Sequence, residues 1–284
     1  MTIPFVKAEG TGNDFVIIDA RDLPVVTDLN SAAKKICNRK KSIGADGLLI
    51  YDKSSTCDFK MRIFNSDGSE AEMCGNGIRC IAQYAKKIKS LSKNSFDIET
   101  KAGRVKIDYL KTDMPRLKLT PPENLKLNLN LDIDGKKIIV NYVVVGVPHV
   151  VYLKELEAPH PADALIDEES LEKINVAELG RKIRFHKEFA PAGTNVNFIE
   201  VTSSDSLKVR TYERGVEEET LACGSGSSAS SLIAFLLGKV KSPITVTTSG
   251  GEFLTVYVEG TREKIEGLYL EAPANIVFEG KINI

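Results

Sequence analysis

The sequence predicts an α/β fold of two similar halves, each a strand-rich, barrel-like sheet around a central helix. Three observations lead there. Period-two alternation recurs along the chain, as in Phe59, Met61 and Ile63, then Val105, Ile107 and Tyr109, then Leu207, Val209 and Thr211; this spacing marks half-buried strands. Helical patterns are fewer, and one of them, SGSSASSLIAFLLG at 225–238, is small or apolar nearly all round. Such a helix has to be enclosed, and in strand-rich surroundings a wrapped sheet is the simplest container. Finally, an unusual tetrapeptide is spelled twice, C-G-N-G at 74–77 and C-G-S-G at 223–226, once in each half.

In chain order, the helical patterns fall at about residues 28–41, 77–90, 168–183 and 225–238. In the second, Ile78, Ile81, Ala82, Ala85 and Ile88 form one apolar stripe. Short strands fill the intervals, with ITVTT, LTVYV and ANIVFEGKINI extending the pattern to the end. The segment TPPENLKLNLNLDIDGKK at 120–137 concentrates Pro, Asn, Asp and Gly between strand-rich regions and reads as a linker. A chain of 284 residues leans towards two domains. The repeat extends beyond the tetrapeptide. GTGNDFVII near the start lies against GTNVNFIEV at 193–201, and FNSDGSEAEMCGNG against TYERGVEEETLACGSG. Each half then reads as a glycine and asparagine loop, a strand, an acidic loop, a cysteine and a helix.

The apolar share of 42%, the charged share of 27% and the net charge of −1 give no field for nucleic acid or anionic lipid. The N-terminal residues show no basic region followed by an apolar one, and no run approaches the roughly 18 apolar residues of a membrane span. The expectation is a cytoplasmic chain with neither a nucleic-acid nor a membrane partner. Five cysteines, at 37, 57, 74, 80 and 223, form an odd and sparse set unlike a disulfide framework, so they are expected as thiols.

Each C-G-x-G ends an acidic stretch and opens a helical pattern, which puts a sulfur at a helix N-terminus. Unpaired backbone N–H groups and the positive end of the dipole favour an anion there, lower a thiol pKa and raise the thiolate fraction. A cysteine is more often a small buried hydrophobe, and Cys37, Cys57 and Cys80 are read that way; for Cys74 and Cys223 the duplicated context reverses the balance. As metal ligands they fit poorly: Cys74 and Cys80 lack the spacing of structural zinc sites, and the histidines are only three, at 149, 160 and 186. Phosphate loops are excluded by the absence of G-x-G-x-x-G and of G-x4-G-K-[ST]. Two thiols drawn from similar halves suit an acid–base pair. Inversion at carbon needs a base on one face and an acid on the other, and a thiol serves in either role because its pKa lies near the working pH. Two helix N-termini aimed at an α-carboxylate would take up the charge that develops there.

G-T-G-N-D-F-V-I-I-D at 10–19, F-N-S-D-G-S-E-A-E-M-C-G-N-G-I-R-C at 64–80, G-V-P-H at 146–149, N-V-N-F at 195–198 and Y-E-R-G-V-E-E-E-T-L-A-C-G-S-G at 212–226 together resemble the diaminopimelate epimerase family. The matches run in order over essentially the whole chain. The resemblance implies a cofactor-independent epimerase that interconverts L,L- and meso-diaminopimelate, folded as two similar α/β domains with the site in the cleft between them, and commonly a homodimer. It implies an N-terminal domain of residues 1–120 with 273–284, carrying Cys74, and a C-terminal domain of residues 121–272, carrying Cys223. Cys74 and Cys223 would be the acid–base residues, positioned and tuned by His149 and Glu213. The amides of Gly75, Asn76, Gly224 and Ser225 would hold the reacting carboxylate. Asn13, Asn65, Asn195, Glu213 and Arg214 would recognise the rest of a small amino-acid substrate; a guanidinium fork suits a carboxylate, and an amide offers both donor and acceptor. No metal is implied.

Two departures stand out. Val147 occupies the place of an asparagine that some members carry in G-N-P-H, and Gly47 that of a glutamine. Both remove polar side chains near the expected distal end of the substrate. They motivate an alternative, a related two-cysteine racemase of another polar amino acid such as histidine. A metal or redox thiol protein is the reading from a different class.

Overall fold

The computed structural model describes residues 1–89, 91–110, 114–154 and 170–283. His160 and the first two residues of the helix expected at 168–183 lie outside that set. Contacts divide the chain into one unit of Met1–Lys118 with Glu271–Ile284 and a second of Leu119–Leu270. No helix among the described residues is long and apolar enough to cross a membrane.

In the first unit, β1 (Thr2–Gly10) and β2 (Asn13–Asp19) form a hairpin, followed by α1 (Leu29–Ile36) and β3 (Gly47–Asp52). Next come β4 (Phe59–Asn65), the short β5 (Glu70–Ala71), α2 (Gly75–Lys87), β6 (Ser95–Thr100), β7 (Gly103–Asp108) and β8 (Arg116–Lys118). The pairings are β1 with β2 antiparallel, β2 with β3 parallel, β3 with β4 antiparallel, β4 with β6 parallel, and β6 with β7 antiparallel. The C-terminal strand Asn275–Asn283 pairs antiparallel with β1 on its other side. Alternation then assigns faces. Val16, Ile18, Leu48, Ile50 and Phe64 pack with Ala32, Ala33 and Ile36 of α1. The opposite face belongs to α2, which packs against β1 to β4, β8 and the C-terminal strand.

The second unit repeats this scheme. It comprises β9 (Glu123–Ile133), β10 (Lys136–Val145), β11 (Val147–Lys154), α3 (Val176–Arg184), β12 (Asn195–Ser203), β13 (Ser206–Glu213), β14 (Glu218–Thr220), α4 (Gly224–Leu236), β15 (Ile244–Thr247), β16 (Phe253–Gly260) and β17 (Ile265–Glu271). Strands β10 to β13, then β15 and β16, pair in the same alternation of antiparallel and parallel neighbours as β1 to β4, then β6 and β7. Val150, Val196, Phe198 and Tyr212 pack against Val176, Leu179 and Ile183 of α3; Gly180 lets that helix approach, because a Cβ there would sit 2.5 Å from Tyr212. The other face holds α4, surrounded by β10 to β13, β15 and β16.

Three expectations change. The segment read as a linker is the strand β9, paired with β10 through a tight turn at Asp134 and Gly135, both with positive φ. Its alternating leucines were the strand signal, and Asp-Gly is a two-residue hairpin turn rather than a break. The strand matching GTGNDFVII is β11, not β12: β2 pairs parallel with β3 as β11 does with β12, so GTNVNFIEV corresponds to β3. Lastly, α2 carries more than an apolar stripe. Every residue from Gly77 to Ala85 is buried, including Arg79 and Gln83, so this helix is as enclosed as α4.

Candidate active site

Cys74 and Cys223 are the N-caps of α2 and α4, both extended, with φ of −145° and −129°. Each cysteine carbonyl accepts the first helical bond, from Ile78 at 2.9 Å and from Ser227 at 2.8 Å. Gly75 and Asn76, like Gly224 and Ser225, therefore lie in a first turn, where N–H groups have no acceptor within the helix and favour an anion. None of the five cysteines is in a disulfide.

The two sulfurs differ in setting. The Cys223 side chain is buried, 3.4 Å from the Gly226 N–H that it accepts and 3.6 Å from the Ser225 hydroxyl. Cys74 is half-buried, and its sulfur forms no capping bond to α2. The expected lowering of the thiol pKa does not hold at Cys223. Burial first, and the Glu213 carboxylate second, push it up to about 11, against the hydrogen bonds from Ser225 and Gly226. A helix terminus contributes roughly 0.3–2 kcal/mol to an anion, less than the cost of desolvating a charge. Burial likewise raises the Glu213 carboxyl, with the neighbouring Thr220 opposing it.

Beneath α4 lies a buried polar network on β11, β12 and β13. The Thr211 hydroxyl donates to Asn197 Oδ1 at 2.9 Å, and Asn197 Nδ2 donates to the Val150 carbonyl at 2.9 Å and faces His149 Nδ1 at 3.3 Å. That arrangement makes Nδ1 the acceptor and leaves the proton on Nε2, a fully buried atom with no hydrogen-bond partner among the described residues. Burial, with Arg214 adding to it, lowers the His149 pKa to about 3, so the ring is neutral. Asn195 ties the loop ends together, donating to the Pro148 carbonyl at 3.1 Å and accepting the Arg214 N–H at 2.8 Å.

Beneath α2 the chemistry is different. Arg79 is fully buried; its Nη2 donates to Thr11 Oγ1 at 2.7 Å and to Asn76 Oδ1 at 2.8 Å. Asn76 Nδ2 donates to Asn13 Oδ1 at 2.6 Å, and Asn13 Nδ2 to Asp46 Oδ2 at 3.1 Å. Asp46 and Asp14 are bound by Arg39, and Asp14 also by Lys7. Asn65 is exposed and donates to Ser69 Oγ at 2.9 Å. At Gly47, a Cβ would meet the Phe64 carbonyl at 3.0 Å and the Phe15 ring at 3.3 Å, so Phe15 fills the space a longer residue would need. Val147 is half-buried at the start of β11. Within the first unit, the structure thus joins Asn13 and Asn76 to the turn that follows Cys74. Within the second, Asn195 and Arg214 meet, and Glu213 lies beside Cys223.

A sequence profile described as diaminopimelate epimerase matches residues 5–122 and 142–276. The chain belongs to this family. A diaminopimelate epimerase of Aquifex aeolicus is 40% identical over 98% of this chain and 97% of its own length, and one of Hydrogenobaculum is 38% identical over the same shares. Among solved structures, a PhzF-family phenazine biosynthesis protein of Bacillus anthracis has a TM-score of 0.71 at 18% identity, with both chains covered completely. A hydroxyproline epimerase of Agrobacterium vitis has a TM-score of 0.61 at 14% identity, covering 99% of this chain and 92% of its own. At those identities the likeness is one of fold.

Membership of the diaminopimelate epimerase family rests on motifs that the sequence displays; four polar residues of the two networks were not picked out from it. Arg79, Thr11 and Asn197 stand inside the motifs and Thr211 in a strand alternation, but their roles are not legible there because they act through other side chains. Arg79 alone left a signal, an arginine set between Ile78 and Ile81 in a helix with an apolar stripe.

Proposed function

We propose that this chain inverts the α-carbon of diaminopimelate, interconverting the L,L and meso isomers without a cofactor, with Cys74 and Cys223 as the two acid–base groups. One thiolate takes the α-proton and becomes a thiol, leaving the electron pair delocalised onto the carboxylate. The other thiol gives its proton to the opposite face and becomes a thiolate. The backbone amides of Gly75, Asn76, Gly224 and Ser225 hold the carboxylate as charge builds on it. Asn13, Asn65, Asn195, Glu213 and Arg214 bind the remainder of the substrate, and His149 and Glu213 position and tune the thiols. The observation that carries this reading is the duplicated N-cap cysteine, each on an enclosed helix, in a chain of this family. The same reading makes the enzyme a cytoplasmic homodimer, supported by the resemblance of its motifs to the family.

In D2O without pyridoxal phosphate, the reduced enzyme is expected to exchange the α-hydrogen of L,L-diaminopimelate and to form the meso isomer. Cys74→Ala and Cys223→Ala should each lower turnover by about 10³-fold, within the range of acid–base catalysis. Absence of exchange by the wild type, with exchange of histidine in its place, would transfer the reading to the related racemase.

A further inference from the structure

We propose that Arg79 is a positioning residue for substrate binding: it fixes the direction in which the side-chain amides of Asn76 and Asn13 point and sets a buried positive charge, in no ion pair among the described residues, behind the first turn of α2. This rests on the reading that Asn76 and Asn13 contact substrate.

A guanidinium has only donors, so the Asn76 atom that faces it must be the oxygen. Thr11 reinforces this. Its hydroxyl accepts from Arg79, so its own proton goes to the same Asn76 Oδ1, at 3.3 Å. Both lone pairs of that oxygen are then occupied, and Asn76 has only an N–H left to offer beyond the one given to Asn13. At the other end of the row stands Asp46, an acceptor-only carboxylate, which fixes the Asn13 amide with its nitrogen towards Asp46. A donor-only cation and an acceptor-only anion thus leave neither amide free to flip. Each amide keeps one N–H beyond those used in the row, suited to a carboxylate oxygen.

Charge points the same way. Arg79 is 0% exposed, and its Nε and Nη1 have no hydrogen-bond partner among the described residues. The ionisable groups facing it are the thiols of Cys80 and Cys74 and the carboxylate of Glu9; Glu9 is itself held by Asn275 at 2.6 Å. Burial raises the Cys80 thiol, which keeps it neutral. A buried cation without a paired carboxylate is costly, and an anion at the first turn of α2, whether substrate carboxylate or the Cys74 thiolate, relieves that cost. Thr11 is a β-branched residue at φ of 50°, a conformation that has to be held in place by its surroundings. The equivalent residue of α4 is Ser228, which donates to the Gly224 carbonyl at 2.8 Å, so that position carries no cation in the second unit.

The test compares Arg79→Met, Arg79→Lys and wild type in steady-state kinetics with L,L-diaminopimelate, in thermal unfolding, and in the pH dependence of iodoacetamide labelling at Cys74 read by peptide mass spectrometry. Arg79→Met is expected to raise KM at least tenfold with a smaller change in kcat. It should also move the labelling midpoint up by about one pH unit, without lowering the unfolding temperature, since a buried charge is removed. Arg79→Lys should stay within about threefold of wild type. Unchanged KM and labelling overturn the proposal; so does a parallel fall of stability, kcat and affinity that lysine does not rescue. Should Arg79→Met not fold, Thr11→Val decides instead: about a fivefold rise in KM from one lost hydrogen bond supports the proposal, and no rise overturns it. Should the wild type not act on diaminopimelate, the proposed function fails, and the labelling midpoint alone decides the role of Arg79.

Discussion

Strand register sets the surroundings of α2 and α4 side by side. Phe15 stands where His149 does, Leu49 where Asn197 does, and Ile63 where Thr211 does. Arg62 bound to Glu70 matches Arg210 bound to Glu219, each pair with an Nε to Oε1 distance of 2.8 Å, so the frame is the same. What fills the frame is not. The first unit has apolar strand residues beneath its helix and a buried arginine within it; the second has a histidine, an asparagine and a threonine beneath, and serines within. Exchanging a buried leucine or isoleucine for a polar residue forgoes about 1.5–3 kcal/mol of burial and demands hydrogen bonds in return. The second unit supplies those bonds, and the exchange yields a neutral, oriented imidazole. A duplicated scaffold keeps its strand order and loops while each copy adjusts its polar interior independently, because hydrogen-bonded networks are local and pairing topology is not.

The sharpest probe of this difference is the third residue of each helix. A Cβ on Gly226 would lie 2.3 Å from Asn197 Oδ1, whereas one on Gly77 would lie 3.2 Å from the end of the buried Leu49 side chain, which need give by only a few tenths of an ångström. Gly226→Ala should therefore cost about 2–3 kcal/mol, and Gly77→Ala less than about 1 kcal/mol, in urea unfolding. Adding Asn197→Ala should recover part of the first cost; equal costs at the two positions would break the comparison. A second probe is thiol reactivity. Cys74 is half-buried, while Cys223 is 8% exposed with its pKa raised to about 11. At pH 8 iodoacetamide should label Cys74 at least about tenfold faster; faster labelling of Cys223 would reverse the assignment.

The third and smallest effect is a pH dependence peculiar to the second unit. The unfolded chain protonates His149 below its ordinary pKa of 6.5, and the folded chain does not until about 3. The unfolded state thus binds the extra proton, and stability falls with falling pH in that window by up to about 1.4 kcal/mol per unit. His149→Gln should flatten the slope between pH 6.5 and 4.5 in urea titrations. Parallel slopes for variant and wild type would show that the imidazole is not held neutral.

Legibility followed the range of the interaction. The alternation in β4, β7 and β13 and the enclosed character of α4 were plain in the sequence, because burial leaves a period. The cysteine N-caps were plain because Cys-Gly-x-Gly is a local instruction. β9 was missed because its asparagines and its Asp-Gly turn carry the composition of a loop, and the correspondence of β2 with β11 was missed because glycine and asparagine recur in both candidate loops. Only pairing register distinguishes them.

The sequence by itself determined that two cysteines begin two helices, the second of them enclosed, in two strand-rich halves, since tetrapeptide spelling and apolar periodicity are properties of neighbouring residues. Tertiary structure alone decided that Arg79 is buried against Thr11 and Asn76, that Asn197 orients His149, and that burial, with Glu213 adding to it, raises the Cys223 thiol. Those facts depend on which side chains from distant strands share a volume without water, and the free energy of a buried charge or amide is set by that company.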